Sequence, residues 1–210
     1  MSRNHSSARG SHRHPPLRVE SLEGRDVPAF LSGAEVVVGA GPGGPPLVQL
    51  INPSTGEVQD QFLAFASNFY GGVRVAVGDV TGDGYLDLVV AAGPGGGPQV
   101  KVDNGQTGAV VSSFYAYDSG FTGGVNVAVG DVYDNGVDEI ITGPGTVGGP
   151  EVNVFNGSTG NQLASFFAYD PVYRGQATPV PEISDGQVGG RGGWNAHPGG
   201  ADNGRGPRGW

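Results

Sequence analysis

Val73, Val75 and Val77 alternate with Arg74 and Ala76, the period-two pattern of a strand with one buried face. A loop follows, then the apolar run Leu88–Ala92 and the breaker Gly-Pro-Gly-Gly-Gly-Pro. Val100 and Val102 alternate next, Asn104-Gly105 begins a turn, and Ala109–Tyr117 reads as a fourth strand ending in aromatics. Four short strands in about 50 residues is the size of one propeller blade. The whole pattern recurs without a gap at an offset of 52 residues. VVVGAGPGGPPLVQLIN begins at Val36, LVVAAGPGGGPQVKVDN at Leu88 and IITGPGTVGGPEVNVFN at Ile140. The register continues through Thr55, Thr107 and Thr159, then Phe62, Phe114 and Phe166, then Phe65, Tyr117 and Tyr169, then Phe69, Phe121 and Tyr173. A β-helix would turn over shorter stretches, and a sandwich needs no such repeat.

Counted by strands, Gly71–Asp118 and Gly123–Asp170 are complete units, whereas Val36–Phe65 supplies only strands two to four of an earlier one. After Gly175 the register fails: Gln176 replaces the glycine of Gly124, and ATPVPEI replaces the alternating valines. Pro179 and Pro181 fall inside that strand position, and proline removes a ladder donor, which argues against an inner strand. The expected fold is all-β: a partial β-propeller of four-stranded antiparallel blades, two complete and one incomplete, with disordered termini. The corresponding divisions are an arm at 1–30, blades at 31–175 and a Gly/Arg/Pro-rich tail at 176–210 that has too few aliphatic residues to build a core. The abrupt change suggests a truncated or frame-shifted continuation of a longer array, which the other two frames of the coding DNA would reveal.

Composition supports this reading. Glycine accounts for 41 of 210 residues, and each interior glycine costs a helix roughly 1 kcal/mol relative to alanine. Residues 31–176 carry Arg74, Lys101 and Arg174 against fourteen acids, while residues 1–30 carry five arginines and three acids. So acidic a repeat region repels phosphate backbones, so no nucleic-acid partner is expected; divalent cations suit it better. The absence of cysteine excludes disulfides, thiolate metal sites and cysteine nucleophiles. No stretch approaches the roughly 20 apolar residues of a membrane span, and the N-terminus lacks the apolar core of an ordinary secretory signal.

The strongest chemical motif joins the first two strands of the second unit. Asp79, Thr81, Asp83 and Asp87 occupy loop positions 1, 3, 5 and 9, Tyr85 at position 7 offers a backbone carbonyl, and Gly84 at position 6 permits a sharp turn. Calcium takes six to eight oxygens from such alternating positions. An EF-hand is rejected, because position 12 is Val90, inside a strand. In register, Asp131, Asn135 and Glu139 keep oxygen at positions 1, 5 and 9, and Val137 stands at the carbonyl position, but Tyr133 replaces Thr81 and is a poor ligand. This second site is expected to be weaker. Glu35 matches Asp87 in the first unit without a partner loop. Asp-Gly and Asn-Gly are also hairpin turns without any metal. Mutual repulsion of three spaced carboxylates favours calcium at the first loop, while the second stays open.

The run GDVTGDGYLDLVVAAGPGGGPQVKV resembles FG-GAP/VCBS repeats, the units of integrin-α-type β-propellers, and the resemblance extends over roughly residues 34–175. It implies calcium in the loop between a blade's first two strands, a place outside the cell or at its surface, and a role in adhesion or ligand binding. Two departures matter. The second loop lacks the usual position-3 Asp or Asn, and two and two-thirds blades do not close a propeller. The stretch LRVESLEGRDVPAF resembles a short leader found on large exported proteins of planctomycete-type bacteria.

No catalytic centre is apparent. His5, His12 and His14 form a tract in the arm that reads as solvated rather than metal-binding, His197 stands in the tail, and residues 31–176 contain neither histidine nor a GxSxG nucleophile motif. Asp118 and Asp170 read as turn caps, and Tyr70 and Tyr115 are candidates for stacking on sugars. The expected function is therefore a non-enzymatic, calcium-binding extracellular or surface module for adhesion or for binding carbohydrate or a surface protein. Two alternatives remain: a propeller scaffold cut from a larger surface hydrolase, or a truncated fragment without function. Open blade edges would invite oligomerisation.

Overall fold

The computed structural model describes Leu31 and residues 35–180. Among these residues it contains strands and no helix, and hence no helix long and apolar enough to cross a membrane. Blade one consists of β1 (Val36–Gly39), β2 (Leu47–Ile51) and β3 (Val58–Leu63). Blade two consists of β4 (Val73–Gly78), β5 (Asp87–Ala92), β6 (Gln99–Asp103) and β7 (Val110–Tyr115). Blade three repeats this with β8 (Val125–Gly130), β9 (Glu139–Pro144), β10 (Glu151–Asn156) and β11 (Gln162–Phe167). Each blade is an antiparallel meander in sequence order, so two complete blades and one lacking its first strand are present, as the strand count predicts.

The core lies between blades, where sheets pack face to face. Val80, Val89, Val100, Val102, Val129, Ile140 and Phe155 are buried where blades two and three meet. Val48, Leu50, Val73, Leu88 and Val90 are buried between blades one and two. Strand position sets burial: β5 and β9 are buried at every residue, whereas β7 and β11 are largely exposed. The first strands β4 and β8 lie side by side.

One sequence expectation needs correction. The fourth strand of blade two ends at Tyr115 rather than Tyr117. Ala116 turns inward, buried, with its amide donating to the Pro98 carbonyl at 2.9 Å, and Asp118 opens the next turn. One contact of the repeat persists past Gly175, although residues 176–180 form no strand, as the prolines predict. The Ala177 amide donates to the Pro144 carbonyl at 3.2 Å, just as its repeat equivalent Val73 donates to Ala40 at 2.8 Å, and Ala177 is buried. The arm at 1–30, with its leader-like stretch and histidines, and the tail from 181 onward lie outside the described residues.

Candidate functional site

The two loops joining first and second strands sit next to one another. In the Asp79–Asp87 loop, Asp79 anchors the turn: its Oδ1 accepts from the Gly82 and Asp83 amides at 2.7 and 3.1 Å, and its Oδ2 from the Gly84 amide at 2.8 Å. Asp83 Oδ1 accepts from the Tyr85 amide at 2.9 Å. Asp87 is fully buried; its Oδ2 accepts from the Thr81 amide at 3.0 Å and its Oδ1 from the Gly105 amide at 3.1 Å. The Thr81 hydroxyl oxygen is buried without a well-formed hydrogen bond, beside the Asp87 carboxylate whose ionised form it favours. The Tyr85 ring is exposed, consistent with a role for its carbonyl alone.

The Asp131–Glu139 loop folds the same way despite its altered sequence. Asp131 accepts from the Asn135 and Gly136 amides at 3.0 and 2.7 Å, Asn135 Oδ1 from the Val137 amide at 2.9 Å, and Glu139 Oε2 from the Val132 amide at 3.0 Å. Tyr133 at position 3 is half exposed, and Asp134 takes the left-handed conformation held by Gly82 in the other loop.

Electrostatics differ within each loop. Burial pushes the Asp87 carboxyl above the usual range, and the Gly105 amide and Thr81 groups counter this only in part. Burial raises Glu139 likewise, and raises Asp138. Asp131 is instead lowered by the amides of Asn135 and Gly136. Each loop therefore holds a buried carboxyl whose ionisation costs free energy that a cation would offset.

Among the described residues no three acidic or histidine side chains converge as a metal-holding group, because these carboxylates point at backbone amides. Their chemistry nonetheless fits calcium: hard oxygens at alternating positions, lone pairs left over on carboxylate oxygens that accept only one or two hydrogen bonds apiece, and the unpartnered Thr81 hydroxyl oxygen. Two residues escaped the sequence reading. Asn104 donates to Asp83 Oδ2 at 2.8 Å and to Asp87 Oδ1 at 3.3 Å, so it closes the first loop from the neighbouring turn. Asp138 joins the loops: its Oδ2 accepts from the Asp79 amide at 2.9 Å, and its amide donates to the Asp79 carbonyl at 3.0 Å. In sequence Asn104 reads only as a turn residue, and Asp138 as a neighbour of the ligand position.

A second feature is a groove of about 440 Å³ between blades two and three, lined by Tyr115, Asp118, Phe121, Glu151 and Gln162 among others. Tyr115 is 58 % exposed. Asp118 and Asp170 act as turn caps, accepting from the Gly120 amide at 2.8 Å and the Val172 amide at 2.9 Å.

Comparison with known proteins agrees with the repeat reading. Residues 71–112, from the entry of β4 into β7 and including the whole Asp79–Asp87 loop, match the family model of the FG-GAP repeat. No curated protein matches the chain.

Proposed function

We propose that this chain is a non-catalytic β-propeller module that binds calcium in its Asp79–Asp87 loop and presents a ligand-binding surface outside the cell or at its surface. The observation that carries calcium is the buried, unpartnered Thr81 hydroxyl oxygen beside the buried Asp87 carboxylate, in a loop with oxygen at every odd position. Asp79, Thr81, Asp83 and Asp87 side chains and the Tyr85 carbonyl would hold the ion. Asp131, Asn135, Glu139 and the Val137 carbonyl would hold a weaker second one. Bound calcium supplies positive charge that stabilises the ionised carboxylates; it takes no part in a reaction. The FG-GAP match over residues 71–112 supports the module reading, and the family resemblance supports the location.

At a dissociation constant near 10⁻⁴ M, millimolar calcium stabilises the fold by about 1.4 kcal/mol, a rise in Tm of about 3–6 °C. Calorimetric melting in calcium and in chelator tests this, with Asp87→Asn expected to abolish most of the shift. Equal melting temperatures in the two buffers would refute the calcium reading. For the ligand, the groove at Tyr115 combines an exposed aromatic face with Asp118, Glu151 and Gln162, which suits the apolar face and hydroxyls of a neutral sugar and repels anionic ones. Tyr115→Ala should therefore abolish retardation in affinity electrophoresis through neutral polysaccharide. Retardation unchanged by this substitution would place the ligand elsewhere.

A further inference from the structure

The two ends of the blade array are exposed where the same positions inside it are covered. Val36 and Val38 of β1 are 48 % and 41 % exposed, while their repeat equivalents Leu88 and Val90 in β5 are 3 % and 0 % exposed. At the other end, Phe166 and Tyr169 are 52 % and 59 % exposed, while their equivalents Phe114 and Tyr117 are partly buried against the next blade.

The chain itself shows how these two faces fit. Between blades two and three, Phe114 stacks on Phe155 with centroids 4.7 Å apart. The Tyr117 hydroxyl lies 3.2 Å from Thr142 Oγ1 and donates to the Glu151 carbonyl at 3.1 Å. Asn153 Nδ2 donates to the Ala116 carbonyl at 3.0 Å, and one interface earlier Lys101 Nζ donates to the Ala64 carbonyl at 2.6 Å. Shifted by one repeat, Phe166 takes the place of Phe114, Tyr169 that of Tyr117 and Ala168 that of Ala116. Shifted back by two, Ile51 takes the place of Phe155, Val38 that of Thr142, and Gln49 that of Asn153. Gln49 thus keeps a side-chain N–H donor at the position where Lys101 and Asn153 have one, although no blade precedes it among the described residues.

The missing first strand has a counterpart as well. The Gly93 amide donates to the Gly72 carbonyl, and the Gly145 amide to the Gly124 carbonyl. With antiparallel alternation and the register Val73↔Ala92 through Gly78↔Asp87, the amides of residues 74, 76 and 78 face β5. Those of 73, 75 and 77 face away, as the Val73 amide does in reaching Ala40. Pro179 and Pro181 occupy the 75 and 77 positions of the next repeat, and Thr178 and Val180 the 74 and 76 positions. If the segment paired in that register, Pro179 would remove no ladder donor, since a strand with one neighbour tolerates proline on its free side. The segment Ala177–Val180 forms no strand in the single chain, and β1–β3 is a sheet without a first strand among the described residues. A groove of about 280 Å³ beside β1, lined by Leu31, Glu35, Val37, Val75, Val77 and Leu86 among others, lies where a first strand would pair.

We propose that two copies of this chain associate head to tail, the blade-three face and Ala177 segment of each copy completing blade one of the other. Propellers close with roughly 4–8 blades; with three blades among the described residues of each copy, two copies are the number that falls in that range, giving a six-bladed ring. Such a heterologous contact closes because the second copy returns to the first.

Sedimentation velocity and light scattering on the full chain at micromolar concentration test this, and twice the chain mass is expected. Val38→Lys and Tyr169→Glu alter side chains already exposed in the single chain, so each should fold yet sediment as a monomer. Mixed in equal amounts, they should recover a dimer through the one intact interface, which a two-fold symmetric contact between like faces would not do. Val180→Pro, which removes an amide facing β1 at both contacts of the dimer, should weaken association about 10- to 100-fold. A wild-type monomer, an assembly larger than two, a dimer indifferent to both face substitutions, or a mixture that stays monomeric would each overturn the proposal.

Discussion

Val147 has a φ of +59°, at the repeat position where Gly43 and Gly95 have +106° and +92°. A β-branched residue in the left-handed region is a steric outlier, costing roughly 1–2 kcal/mol. Glycine would relieve this strain and return roughly 0.5–1 kcal/mol through its greater freedom when unfolded. Val147→Gly should therefore stabilise the protein by about 0.5–1 kcal/mol, read as a rise in Tm of about 1–4 °C. Asp134 has a φ of +54°, but aspartate tolerates that region far better, so Asp134→Gly should shift the melt less. A smaller gain at Val147 than at Asp134 would contradict this ordering. The mismatch with Gly95 was visible in the sequence; the strain was not, because a repeat alignment compares residue types and carries no dihedral angles. The odd-numbered oxygens of the Asp79–Asp87 loop were equally visible. That their carboxylates accept from the loop's own amides, and that Asn104 closes the loop from another turn, depends on distances between segments some 20 residues apart in sequence.

At the scale of elements, alternation located each strand to within a residue or two, because first strands bury one face and valines mark it. Strand four was read two residues long. Phe114, Tyr115 and Tyr117 suit a strand by composition, yet the chain turns at Ala116 to place Tyr117 against Thr142 and Glu151. The turns between third and fourth strands recur with a register shift at Leu50/Ile51, Val102/Asp103 and Val154/Phe155. Asn52, Asn104 and Asn156 then cap the turn, each accepting from the amide three residues on. Asn-Gly signals a turn in sequence, but the bulge comes from pairing and could not be read there. Beside the apolar core, a side-chain donor on the third strand links one blade to the next. Asn153 is buried and donates to Ala116 across the interface. Asn153→Ala leaves a buried carbonyl unsatisfied, so it should cost about 1–3 kcal/mol in urea denaturation. Gln49→Ala, whose amide here meets only exposed Gln61 at 3.0 Å, should cost close to nothing in dilute solution. Equal losses at the two positions would mean that the latch contributes little to packing between blades.

For the whole molecule, the period of 52 residues was legible, and so was the phase in which it is cut. The consequence of that phase was not, because a repeat makes equivalent residues look alike while their burial depends on which neighbours exist. β1 and β5 are the same strand in sequence terms, but β5 lies between β4 and β6, and β1 has only β2. Backbone amides exchange with solvent according to the free energy of opening them. In dilute solution, β1 should therefore exchange at least about tenfold faster than β5, since fewer contacts must break to expose it. β9, also flanked on both sides, should behave as β5 does. If a second copy supplies the first strand and covers Val36 and Val38, protection of β1 must rise with protein concentration while β5 and β9 stay constant. Hydrogen exchange read by mass spectrometry over a hundredfold dilution series separates the cases. Protection at β1 that equals β5 at the lowest concentration would mean that the edge is covered within a single chain. Protection that stays low at the highest concentration would mean that it is left open.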